Sequence, residues 1–112
     1  MASKAKLERE VRARFLAAKN KLAANYQRLA RTAQLSDDDR KASVEVGLKF
    51  MELNEKETKS ALLVGRAQNR AKTRSEFAAI SDQVIAALEG MIEEFDKLNT
   101  HAEEILTRYK SV

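Results

Sequence analysis

From Phe77 onward, apolar residues recur in alternating steps of four and three: Phe77, Val84, Leu88, Met91, Phe95, Leu98, Ala102, Ile105, Tyr109 and Val112. Over these five heptads only Ser81 breaks the row. A mean step of about 3.5 residues keeps one stripe of a helix against a neighbour along its whole length. A strand, whose side chains alternate every two residues, cannot carry it. Ile85, Ile92 and Leu106 widen the stripe, so the helix is expected to be buried between two neighbours rather than along one narrow seam. Within it, Val84, Leu88, Met91, Phe95, Leu98 and Ile105 are expected to be buried.

The N-terminal segment repeats the spacing more weakly: Val11, Phe15, Ala18, Leu22, Asn25, Leu29 and Thr32, with Leu7, Tyr26 and Ala33 beside them. Asn25 occupies a seam position. A polar seam residue fixes register or partner choice at some cost in stability. The simpler expectation is that Tyr26 turns inward and leaves Asn25 at the boundary. The middle segment has two apolar rows. One is Val46, Phe50, Leu53, Val64, Ala67 and Ala71, broken by Glu57 and Ser60; the other is Val44, Leu48, Met51 and Leu62. Gly47 and Gly65 lie inside this pattern, each costing about 1 kcal/mol relative to alanine in a helix. Close approach of a neighbour and simple tolerance both account for them.

The segments are separated by caps. Ser36 precedes Asp37, Asp38 and Asp39, an S-x-x-D pattern whose hydroxyl and carboxylates suit the free N–H groups and positive end of a helix. Leu35 before it suits a hydrophobic staple. Thr73 and Glu76 form a second box, T-x-x-E. The spacing therefore predicts one all-α domain over residues 1–112, with helices over about 4–34, 37–72 and 74–110. Neither Pro nor Gly stops the chain at Thr73, so a helix continuous through it is the competing reading there. Helices of this length with short links fold back on one another. The expected architecture is an elongated antiparallel three-helix bundle with coiled-coil-like packing, each helix roughly 45–55 Å long. The alternative is a long helical hairpin that oligomerises.

Composition excludes several functions. The chain has no cysteine, so disulfide scaffolds, thiolate zinc sites and redox thiols are ruled out. It has no run of 18 apolar residues and so no spanning helix. Residues 1–14 are charged throughout and lack a signal-peptide core; an intracellular, cytoplasmic protein is expected. His101 is the one histidine, with Glu94 and Glu104 on nearby turns. Leu98 stands where a Glu-x-x-His iron motif needs its carboxylate, so a surface histidine is the expected reading. No nucleophile elbow, P-loop or dinucleotide fingerprint occurs. The sequence reads as a non-enzyme without cofactor, metal site or small-molecule substrate.

Charge is distributed unevenly. Residues 1–34 carry nine Lys/Arg against two Glu, and residues 77–112 carry three against seven Asp/Glu. If helix 2 returns to the end where helix 1 starts, Lys4, Lys6, Arg9, Arg12 and Arg14 join Arg66, Arg70, Lys72 and Arg74 in a basic pole. Asp37, Asp38, Asp39, Glu103 and Glu104 then gather at the opposite, acidic pole. A basic pole suits an anionic partner. Phe15, Phe77 and Phe95 sit on seams, which makes them core rather than base-stacking platforms. Helix 1 sets Leu7, Val11, Phe15 and Leu22 opposite many cations, but it lacks Trp and that face is needed to close the bundle, which argues against membrane binding. The expected function is a helical protein–protein interaction module, an adaptor, assembly subunit or chaperone-like partner, in a hetero- or homo-oligomer. Its interface is expected on the wide face of helix 3. The alternative is a small nucleic-acid-associated protein that binds phosphates through the basic pole.

Overall fold

A computed structural model describes residues 3–109. It contains α1 (Lys4–Arg31), α2 (Asp37–Arg70) and α3 (Arg74–Arg108), with no strand among the described residues. More than three-quarters of these residues are helical, as the periodicity requires. The chain reverses at 32–36 and again at 71–73, which gives the three-helix bundle and not the two-helix hairpin. Val112 of the heptad row and the expected end of helix 3 at residue 110 lie outside the described residues.

Side-chain caps start all three helices. Ser36 Oγ accepts from the Asp39 N–H and Thr73 Oγ1 from the Glu76 N–H, both at 3.1 Å. The Glu76 carboxylate reaches back to the Lys72 N–H at 2.7 Å, one residue earlier than a standard box. Ser3 does for α1 what the other two do, accepting from the Lys6 N–H. α1 ends three residues before the sequence suggested. Thr32 becomes its extended C-cap, because Leu35 has to turn back onto Leu29, Ala102 and Ile105.

Consecutive helices are antiparallel, so α1 and α3 run parallel. Lys4 meets Asp82, Asn25 meets Asn99, and the Ser36 N–H meets Tyr109 Oη. These two helices pack most closely, and α2 lies mainly against α3. α3 is thus the middle member of a flattened rod, 58 × 28 × 16 Å. This position explains its wide stripe: Ile92 is buried, and Ile85 and Leu106 pack against the core.

All six of the α3 residues expected to be buried are buried. Phe95 is fully enclosed. Its ring meets Phe15 of α1 and Phe50 of α2 edge-on, with centroids 5.5 and 6.0 Å apart, the arrangement that aromatic quadrupoles favour. Phe77 departs from expectation and is 49% exposed. α1 begins opposite Asp82, so α3's first turn projects beyond its partner.

Asn25 also departs from the simpler reading. It is buried, while Tyr26 is the partly exposed neighbour. Asn25 Nδ2 donates to Asn99 Oδ1 and Asn99 Nδ2 donates to the Ala18 carbonyl, each at 3.1 Å. The pair divides the interior into two apolar clusters. The larger extends as far as Leu22 and Leu98, and the smaller holds Leu29, Ala102 and Ile105.

Gly47 is a close-approach position. A Cβ there would lie 2.7–2.8 Å from the Tyr26 ring. Gly65 and Gly90 have open space within 4 Å. Gly65→Ala and Gly90→Ala are expected to stabilise the bundle by up to about 1 kcal/mol each. Gly47→Ala should lose that gain by displacing Tyr26, and Tyr26→Ala in the same chain should restore it. Urea unfolding of the four variants checks this; an equal gain at all three glycines would refute the close approach.

Candidate functional site

Three surfaces carry exposed chemistry: the two ends of the rod and the outer face of α2. At the first end lie the start of α1, the end of α2 and the start of α3. Lys4 Nζ is 3.0 Å from Asp82 Oδ2. Arg12 borders a cavity of about 280 Å³ whose walls include Gln68 of α2 and Val84 of α3. The fold therefore brings Lys4, Lys6, Arg9, Arg12 and Arg14 to the same end as Arg66, Arg70, Lys72 and Arg74, and all nine are exposed. Arg12 pairs with Glu8 at 3.5 Å. Among the described residues, the other seven besides Lys4 and Arg12 form no ion pair. They do not form one face. At about 100° per residue, Arg12 and Arg14 flank the Val11–Phe15 seam on opposite sides, and Lys6 and Arg9 point away from it.

The opposite end is less acidic than the charge count implied. Asp39 is buried against α3, where Tyr109 Oη donates to its Oδ2 and Arg108 Nη1 to its Oδ1, both at 2.5 Å. Tyr109 Oη also accepts from the Ser36 N–H at 2.9 Å. The tyrosine thereby relays the back-bond that Asp39 would make in a capping box. Glu103 Oε1 lies 3.0 Å from Lys21 Nζ and accepts from Asn25 Nδ2 at 3.4 Å. A groove beside it, about 480 Å³, is lined by Arg28, Arg31 and Tyr109 among others. This end is of mixed charge because α1 finishes there with Arg28 and Arg31 and α3 with Arg108.

Both engaged carboxyls are held below their ordinary range. For Asp39 the Tyr109 hydrogen bond is the largest cause, partly opposed by burial and reinforced by Arg108. For Glu103 the bond from Lys21 leads, followed by that from Asn25. A carboxyl whose folded pKa is depressed stabilises the fold above its unfolded pKa, and this contribution fades as pH falls through the folded value. The melting temperature is therefore expected to drop on acidification below about pH 4. Asp39→Asn and Glu103→Gln should each lower it at neutral pH and flatten the acid decline. Thermal melts between neutral and strongly acidic pH check this; variants that parallel the parent at every pH would contradict it.

α2 presents apolar residues on two faces. Val46 and Leu53 are buried and Phe50 packs against the core. Val44, Leu48 and Met51, each two residues away and so about 200° around the helix, are 55%, 55% and 63% exposed. Leu62 and Leu63 continue the exposed surface. Most of the exposed large apolar residues thus lie on α2, whereas the bundle consumes the wide face of α3 apart from Phe77. The signal was present in the sequence, since two rows offset by two residues cannot share one helix face.

His101 is exposed and borders a groove with Glu94, Lys97 and Glu45. Among the described residues no group of three or more His, Asp or Glu side chains could hold a metal ion, and no helix is long and apolar enough to cross a membrane. Comparisons with protein-family models, curated proteins and solved structures find no match.

Proposed function

We propose that this chain is a non-enzymatic helical interaction module, an adaptor or assembly subunit that works through protein contacts, with a cytoplasmic location. The observation that supports this reading is the outward row Val44–Leu48–Met51 on α2, continued by Leu62 and Leu63. Each residue is more than half exposed, and Val44, Leu48, Met51 and Leu62 lie on the face opposite the core. Large apolar side chains exposed along one helix face of a small charged protein mark an interface. A protein partner covers such a row; a phosphate backbone does not.

The nine exposed cations at one end support a second reading, binding to nucleic acid backbone. Two variants separate the readings. Leu48→Lys with Met51→Lys removes the apolar row. Arg9, Arg12, Arg70 and Arg74 all changed to Glu removes the basic pole. Both sets are exposed, so both chains should stay helical. The protein-contact reading expects the first variant to lose association and the second only to slow it, because rim charges act mainly on the encounter rate. Tight duplex or RNA binding that falls steeply with salt, abolished by the second variant and untouched by the first, would overturn it.

A further inference from the structure

We infer that the outer face of α2 pairs with a second copy of itself in antiparallel orientation. This inference rests on the protein-contact reading and names the partner.

The outer row repeats in heptad steps: Val44, Leu48, Met51, Glu55, Thr58 and Leu62, all exposed. Turned end for end about a two-fold axis between Met51 and Glu55, it matches itself. Val44 faces Leu62 of the second copy, Leu48 faces Thr58, and Met51 faces Glu55, with each contact repeated by the symmetry. The apolar contact of Val44 with Leu62 then falls toward each end of the seam, with Met51 against Glu55 at its centre. The seam from Asp38 to Arg66 is about 42 Å long.

The charges beside the seam select the orientation. The flanking row one residue beyond Val44 and its heptad equivalents reads Asp38, Glu45, Glu52, Lys59, Arg66. It is acidic in its first half and basic in its second, and all five are exposed. None of them makes an ion pair among the described residues. In the antiparallel pair, Asp38 faces Arg66 of the second copy and Glu45 faces its Lys59, so symmetry yields four opposite-charge pairs. Only Glu52 meets its own equivalent, at the axis. A parallel pair would bring the two basic poles together, whereas the antiparallel pair sets them at opposite ends. The row holds few large apolar residues, so the association is weak, with a Kd of about 1–100 µM.

Light-scattering mass across concentration tests this. The full chain should pass from monomer to dimer, and Val44→Lys with Leu62→Lys, which sets like charges opposite each other at both ends of the seam, should remain a helical monomer up to about 1 mM. Glu45→Lys alone and Lys59→Glu alone should each weaken the dimer about tenfold. An equimolar mixture of the two should recover it, because each new charge then meets its opposite. The chain has no cysteine, so single spin labels report geometry directly. Labels at Glu52→Cys should lie close across the axis, and labels at Asp38→Cys about 40 Å apart. A monomer at every concentration overturns the inference, as does a dimer that survives the Val44/Leu62 change or shows short distances at both labels. If the chain is monomeric yet a different protein binds it in a Leu48-dependent way, the self-pairing falls and the interaction-module reading stands.

Discussion

Phe95→Ala is expected to cost about 3–5 kcal/mol, the range for truncating a fully enclosed aromatic. That is a large share of the roughly 5–15 kcal/mol that holds a domain together. The reason is position more than size. Phe95 is 0% exposed and is the ring that both Phe15 and Phe50 meet edge-on. Its removal leaves a cavity between all three helices, and it takes two aromatic contacts worth about 0.5–1.5 kcal/mol each beyond burial. Phe77→Ala is the internal control. It deletes the same atoms from the same helix at a site 49% exposed, and should cost well under half as much. Urea denaturation of both variants checks the contrast. Similar losses at the two positions would mean that α3 is not the middle helix.

Asn99→Leu is expected to cost about 1–3 kcal/mol, the penalty for leaving a buried polar group without its partner. Asn99 is 3% exposed and supplies the carbonyl that the Asn25 amide bonds at 3.1 Å. Without it, Asn25 keeps only the longer contact to Glu103 at 3.4 Å. Changing both asparagines to leucine should recover most of the loss, because two apolar groups facing each other need no hydrogen bonds. The double variant should give up specificity instead. The Asn pair separates the two apolar clusters, and a parallel α1–α3 seam without it has less to distinguish one heptad register from the next. A double-mutant cycle in urea reads the coupling, expected at about 0.5–3 kcal/mol. Amide NMR spectra of the double variant should broaden or multiply. Additive single losses with one sharp spectrum would show that the pair fixes nothing.

Helix content, helix number and the second and third helix starts were legible in the residues. The heptad row of α3 excludes a strand at every step. Ser36 and Thr73 supply acceptors that free N–H groups need wherever the chain goes next. These are local effects, decided within a turn or two of the helix, and so they survive without knowledge of any neighbour. The burial of Val84 through Ile105 followed for the same reason. The shared end of Lys4–Arg14 and Arg66–Arg74 needed one further step, the assumption that each link reverses the chain.

The tertiary structure decided which face meets which helix. Asn25 and Tyr26 sit 100° apart, and α1's own pattern accommodates either one inside. Asn25 is inside because Asn99 of a parallel neighbour offers it a hydrogen bond, and Tyr26 lies over Gly47 because that glycine leaves room for its ring. Asp39 is a capping residue by sequence, and it becomes the anchor of α3's end because Tyr109 and Arg108 arrive beside it. The free apolar surface moved from α3 to α2 on the same principle. Periodicity tells how wide a helix's apolar stripe is, but how many neighbours cover it depends on which helix takes the middle place. α3 takes that place between α1 and α2, so its wide stripe is used up inside, and Val44, Leu48 and Met51 of α2 are left facing outward.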